Sequence, residues 1–270
     1  MKLFAEYLVV VRGGGDLATG VVARLQRAGF PVVVLELAAP LAIRRAVSVA
    51  RAVHEGTAVV EDLTARLVRT PAEAIAMAST GAIPVVVSAE FITFPAPISV
   101  LVDARVAKQS LDTSIEQAPL VIALGPGFSA GVDCHAVIET MRGHHLGRVL
   151  WTGTAAPNSG VPGLVGGRAA ERVIRAPQAG PIVWDVVIGE LVEANQIIGH
   201  IGGEPIRAGL DGAVRGLIDS TQRATPGLKV ADIDPRADSA TCFQISDKAM
   251  SVGGGVLEAI LVWLNRENPE

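Results

Sequence analysis

The stretch from Asp133 to His145 is the densest in the chain in groups that move protons or hold charge, with Asp133, Cys134, His135, Glu139, Arg142, His144 and His145 close together. Read as a helix capped by Asp133, it sets His135 and Glu139 four residues apart on one face, where they can hydrogen-bond or share a metal. Near neutral pH His135 can titrate, Glu139 can hold its tautomer, and Arg142 can neutralise a phosphate, with His144 following. The bland alternative is helix capping plus surface pairs. Neither HExxH nor a histidine-rich spacing is present, so no metal site is assigned.

A second chemical stretch is Gly13-Gly14-Gly15-Asp16-Leu17-Ala18, which follows an apolar run over 8–11. Gly13, Gly15 and Ala18 fit the G-x-G-x-x-G/A spacing, in which glycines allow a tight turn and bring backbone N–H groups to a pyrophosphate at a helix N-terminus. Helical spacing continues through Leu17, Val21, Val22 and Leu25 to Gly29, and the next apolar run ends in Glu36. That is about twenty residues on, where dinucleotide folds place a carboxylate for a ribose hydroxyl. The alternative is a tight strand-to-helix turn that binds nothing. Beyond it, Pro40 suits a helix start that carries Arg44 and Arg45, either fork donors to an anion or a solvated face.

Stepping from strand to strand, apolar runs at 58–60, 83–87, 99–103 and 120–124, with a helix over 71–77, extend an alternating α/β rhythm. In an open parallel sheet the strand C-termini share one edge, which gathers Gly13 to Gly15, Glu36, Glu90, Asp103, Gly125 and Gly127. The 270 residues are 50% hydrophobic but 4% aromatic, and net charge is −4. No basic footprint for nucleic acid or an anionic membrane emerges, and no apolar run is long enough to span a bilayer. Without a signal-like start, and with only Cys134 and Cys242, the expected setting is the cytoplasm with free thiols.

Several motifs in one order carry a resemblance: Arg12 to Gly20, Pro40 to Arg45, Leu124 to Phe128, Val137 to Thr140 with Arg142 to His144, and Ile245 to Ala249. Together they resemble the YqeB-type accessory proteins of selenium-dependent molybdenum hydroxylases, whose first half is similar to the Rossmann-like part of the xanthine dehydrogenase accessory factors. The resemblance implies maturation of a molybdenum hydroxylase, with that enzyme or its other maturation factors as partners. It makes the motif positions ligand contacts for a nucleotide or a molybdopterin-type dinucleotide. The loops at 111–114 and 159–163 depart from the family pattern, which puts contacts from them in doubt. The rival readings are an NAD-dependent oxidoreductase and a non-enzymatic scaffold for a protein partner.

After a Gly/Pro-rich linker over 152–167, composition shifts to a two-fold repeat with an offset of 32 residues, which aligns Ile182 with Val214, Ile198 with Val230, and Ile201 with Ile233. The pattern resembles the biotinyl/lipoyl, or barrel-sandwich, fold. Its hairpin tip reads Gly202-Gly203-Glu204-Pro205, without the lysine that biotin or lipoate needs, so no covalent cofactor is expected. The expected architecture is therefore α/β, with a Rossmann-like parallel sheet over 1–165, a barrel-sandwich domain over 170–236, and a C-terminal segment over 237–270 whose helix packs back on the first domain.

Overall fold

Short apolar runs recur through the first half, and those over 9–11, 32–35, 83–86, 100–102 and 120–124 become buried strand. A computed structural model describes residues 3–109, 111–158, 160 and 165–267 of the chain; the departures seen at 159 and 161–163 lie outside them. Two units form, one from 1–40, 49–158 and 245–270, the other from 41–48 and 159–244.

The first unit contains strands β1 (Val9–Arg12), β2 (Val32–Glu36), β3 (Thr57–Val60), β4 (Leu63–Val68), β5 (Ile83–Val87), β6 (Val100–Asp103), β7 (Leu120–Leu124), β8 (Ser129–Ala130), β9 (Ala136–Ile138), β10 (Val149–Leu150) and β11 (Gly153–Thr154). Among the described residues these build a nine-stranded sheet in the order β10-β9-β7-β6-β1-β2-β5-β4-β3, and β8 pairs with β11. The strands from β9 across to β4 run parallel, but β3 returns antiparallel on β4 and β10 antiparallel on β9. The expected Rossmann-like parallel sheet is thus corrected to a mixed sheet with reversed edges. Its helices are α1 (Asp16–Ala28), α2 (Ala52–Glu55), α3 (Pro71–Ala78) and α4 (Asp247–Glu267). No described α-helix lies between β6 and β7 or between β7 and β9, where the sequence lacks helical periodicity.

Two local expectations are also overturned. Asp133 does not cap a helix, because Ala136, Val137 and Ile138 are wholly buried as β9, and an apolar run this short serves the sheet interior better than a helix face. Arg44 does not follow a helix start at Pro40; a single 3-10 turn spans Arg45–Val47.

Helix α4 covers the sheet together with α1, and glycines set their separation. A side-chain carbon at Gly253 would lie 2.3 Å from the Gly20 carbonyl oxygen, and one at Gly20 would lie 2.2 Å from the Ala249 carbonyl oxygen. Backbone therefore touches backbone, which only glycine permits. Gly255 likewise meets the Gly147 carbonyl oxygen, whereas Gly254 faces open space.

The second unit contains β12 (Val173–Arg175), β13 (Gly180–Trp184), β14 (Leu191–Val192), β15 (Ile197–Ile201), β16 (Glu204–Arg207), β17 (Gly212–Leu217), β18 (Arg223–Ala224) and β19 (Lys229–Asp234). They form two four-stranded sheets, β12-β19-β17-β14 and β16-β15-β13-β18, whose described pairings are antiparallel. The 32-residue offset carries β13 to β17, β14 to β18 and β15 to β19, and the repeat partners Ile182, Val214, Ile198, Val230, Ile201 and Ile233 share one buried core. The hairpin between β15 and β16 turns through Gly202 and Gly203, both at positive φ, as a two-residue turn between twisted strands requires. Residues 41–48 also belong to this unit, with Ile43 against its core.

Because the two glycines of α4 differ so sharply in surroundings, their alanine variants should move stability in opposite directions. Gly253→Ala is expected to lower unfolding free energy by about 2 kcal/mol through overpacking, and Gly254→Ala to raise it by about 1 kcal/mol through helix propensity, both read by urea denaturation.

Candidate functional site

A chain that leaves β1 toward β2 on one side and later adds β6, β7 and β9 on the other has its topological switch point beyond the C-terminal ends of β1 and β6, where such folds open a crevice. Ligands of open α/β sheets favour such switch points. Here Arg12 ends β1 in register with Asp103 at the end of β6. Both are buried charges, and each is fully engaged. Arg12 grips the Asp112 carboxylate with both terminal nitrogens, Nη1 at 3.0 Å and Nη2 at 2.7 Å, and also reaches Thr113 Oγ1 at 3.5 Å and the Ala89 carbonyl at 3.4 Å. Asp103 accepts from the Arg105 backbone N–H (3.1 Å), Arg105 Nε (3.1 Å), Arg105 Nη2 (2.6 Å) and Thr113 Oγ1 (2.6 Å). Arg105 Nη1 closes the network on Asp112 at 2.7 Å. The bond from Arg12 holds the Asp112 carboxyl below its ordinary value against some burial, with Arg105 adding to the effect.

Beside this network runs the glycine loop. Gly13 sits at φ +93°, and a side chain there would press on the Ala104 carbonyl at 3.2 Å. The Gly14 N–H donates to Glu36 Oε2 at 2.6 Å, while the Leu37 N–H donates to Oε1 at 2.6 Å. Burial pushes the Glu36 pKa up, opposed by these two bonds. The chain's own amides thus occupy both oxygens of the carboxylate that was expected to meet a ribose hydroxyl, and the Gly14 amide is turned away from any pyrophosphate. Gly15 is extended, stands at the N-cap of α1 with no side-chain cap, and has nothing within 4 Å of where a side chain would begin. The first N–H groups of a helix have no intrahelical partner, and the positive end of its dipole lies at this end.

On the far side of the edge, Gly125 follows β7 at φ +75°, where a side chain would meet Thr140 Oγ1 at 2.6 Å, and Gly127 packs as closely on Lys108 and Gln109. Glu139 directly follows β9; its buried carboxylate accepts from Met141 N–H at 2.6 Å and Ala156 N–H at 2.7 Å, pinning two loops. Arg142 grips Asp247 with both terminal nitrogens, at 2.6 and 3.0 Å, at the start of α4. Next to Asp247, half-buried Lys248 has its pKa drawn down by burial, with Asp16 and Glu139 pulling it back up and Arg142 opposing them. Helix α4 thereby supplies a cation to the α1 end of the crevice.

Of the residues singled out from sequence, the fold brings Gly13, Gly14, Gly15, Asp16, Glu36, Asp103, Gly125, Gly127 and Glu139 to this edge. Others lie elsewhere. His135 precedes β9 at the opposite edge, where its Nδ1 accepts from the Val121 N–H at 2.9 Å, so a strand's length and not a helical turn separates it from Glu139. His144 is exposed. Arg44 and Arg45 belong to the second unit; Arg44 donates to the Gln244 carbonyl at 3.1 Å and Arg45 pairs with Asp219 at 3.0 Å. Sequence reasoning missed Arg105, named Arg12 and Lys248 only within the motifs of the family resemblance, and put Asp112 in a loop whose contacts were in doubt, although an arginine closing an otherwise apolar buried strand was a readable signal. Burial raises the Cys134 thiol to about 12, which leaves it unreactive. Among the described residues no group of three His, Cys, Asp or Glu side chains could hold a metal ion.

No family model matches the chain. It is 48% identical over 261 residues to the "Uncharacterized protein YqeB" of Escherichia coli (strain K12), a match that takes in 96% of this chain but only 48% of the relative, so the chain spans about half the length of that protein. Solved structures similar to it include a succinylglutamate desuccinylase/aspartoacylase from Rhodobacter sphaeroides (14% identity, 85% of each chain, TM-score 0.29) and an aspartoacylase family protein from Mesorhizobium loti (11% identity, 85% of each chain, TM-score 0.30). The description of the relative assigns it no role; the expectations of selenium-dependent molybdenum hydroxylase maturation and of NAD-dependent redox chemistry are withdrawn, and the expected Rossmann-plus-barrel-sandwich fold gives way to the mixed sheet and the two antiparallel sheets described above.

The placement of His135 makes a pH-dependent prediction. Burial lowers its pKa in the folded state, so folding favours the neutral ring. The resulting stability is present above the unfolded value of about 6.5 and is lost as pH falls through the folded value. Between pH 7.5 and 5, wild-type unfolding free energy should fall more than that of His135→Asn, whose side-chain oxygen keeps the acceptor for Val121 without titrating; equal pH slopes would refute this.

Proposed function

We propose that the first unit binds a small anionic ligand in the switch-point crevice, with the anion seated on the N-terminus of α1. One observation carries this reading: Gly15 gives that N-terminus no side-chain cap and has nothing within 4 Å of where a side chain would begin, although the neighbouring Gly13 and Gly14 are tightly packed. Natural helices usually fill this position with Ser, Thr, Asp or Asn, and an uncapped end at a strand C-terminus is a ready anion seat. In this reading Gly13 and Gly14 hold the turn, Glu36 fixes its shape from behind, and Lys248 supplies the counter-charge from α4. Asp103, Gly125, Gly127, Glu139 and Arg142 shape the remainder of the edge. Asp16 stabilises the first turn of α1 through the dipole. Two buried thiols, Cys134 and Cys242, support a cytoplasmic place of action, and no described helix is long and apolar enough to cross a membrane.

Gly15 has ordinary extended backbone angles and free space around it, so Gly15→Asp should fold and place its own carboxylate on the N-terminal amides. The variant is expected to gain about 0.5 kcal/mol of stability from the new cap. At constant ionic strength, inorganic phosphate should raise the melting temperature of the wild type and leave that of Gly15→Asp unmoved. A wild type that phosphate does not stabilise, or a variant that responds equally, would end the proposal.

A further inference from the structure

The Arg12 network holds a carboxylate in a manner more typical of a ligand site than of a surface salt bridge. Two guanidinium groups converge on Asp112, Arg12 through a two-point fork and Arg105 through a third bond. The side chain of Arg12 is 3% exposed and that of Arg105 18%, whereas that of Asp112 is 43% exposed. Cations are thus fixed in the wall of the crevice, and the one solvent-facing member of the network is the anion between them. Asp103, buried and bonded to Arg105 and Thr113, neutralises only one of the two arginines. Asp112 neutralises the other, so removing its carboxylate would leave one buried positive charge unpaired at the switch point. Planar, two-point geometry of this kind selects carboxylates over other anions.

Resting on the anion site proposed above, we infer that the Arg12–Arg105 fork is a second subsite, occupied by Asp112 in the free protein and taken over by a carboxylate of the ligand, which makes the ligand a small dianion with a carboxylate at one end. Only Gly13 and Gly14 separate Arg12 from Gly15, a chain span of at most about 11 Å, so one small molecule can reach both subsites. The exchange forms and breaks no covalent bond: one carboxylate replaces another, and the charge of the fork is unchanged. A tethered carboxylate competes at an effective concentration in the millimolar range or above, which masks weak ligands in the wild type.

Calorimetric titration of the full chain with glutarate, and with butyrate as its one-armed counterpart, tests this. Asp112→Ala should bind glutarate at least about tenfold more tightly than the wild type, the tethered competitor being gone. Asp112→Asn, which keeps the side-chain volume, should show the same direction if truncation harms folding. Adding Arg12→Lys, which retains a cation but loses the fork, should abolish the gain. Butyrate should gain as well, but bind more weakly than glutarate. Unchanged glutarate affinity in both Asp112 variants, or a gain that survives Arg12→Lys, would show the pair to be a structural salt bridge and overturn the subsite. The two proposals fail separately: a Gly15-dependent phosphate response with no Asp112 effect removes the fork alone, while an Arg12-dependent glutarate gain with no Gly15 effect removes the α1 seat alone.

Discussion

A buried carboxylate ties the crevice edge together. Glu36 ends β2, and its two oxygens take the N–H groups of Gly14 and Leu37, so the turn leaving β1 is fastened to the end of the adjacent strand. A buried acid is costly unless its charge is met by donors, and here the donors come from main chain that would otherwise be left unpaired. The bond also decides what the loop can do. With the Gly14 amide directed at Glu36, the donors left for a ligand are those of the α1 first turn, above the open space at Gly15. The spacing that in other folds cradles a dinucleotide is used here partly to hold the protein itself.

The helix that completes the edge arrives from the far end of the chain. Close contact of α4 with α1 relies on Gly20 and Gly253 lying backbone to backbone, and the same contact sets the first turn of α4, with Asp247 and Lys248, beside Asp16 and Arg142. Packing and electrostatics are coupled at this point, because any side chain on Gly20 or Gly253 would push the lysine away from the helix end that it faces. On the other flank the arginines at 12 and 105 depend on two aspartates, one buried and one exposed. Such networks hold together only while every member is paired.

The second unit follows a different logic. Its repeat places like residues of each half in one core, and its buried aspartates are paired: Asp232 meets Arg172, Arg215 and Lys229, and Asp234 meets Arg215 and Arg236. Asp232 and Asp234 both lie on β19, and Arg215 on β17 faces them across the ladder. Every buried charge named here has a partner of opposite sign, which fits a unit whose core charges are structural.

Much of this was legible in the sequence. Apolar strings running into Gly13, Glu36, Asp103 and Gly125 marked strands and the edge at which they end, since hydrophobic period and glycine turns are local properties. The 32-residue repeat was equally visible, because each half must bury the same positions. Other features were not legible, for one reason: they depend on which segments meet. Whether Ala136 to Ile138 form a helix or a strand turned on the vacancy beside β7, and that choice moved His135 to the opposite edge from Glu139. Arg12, Arg105 and Asp112 lie up to a hundred residues apart along the chain, and nothing near any of them announces the others. Glu36 kept its expected address, but tertiary structure reassigned its oxygens to the backbone. Sequence alone determined the central strands that end at Arg12, Glu36, Asp103 and Leu124 and the edge they share, because those are local apolar patterns; the fold decided which other segments join the sheet and which charges at that edge are spent within the protein.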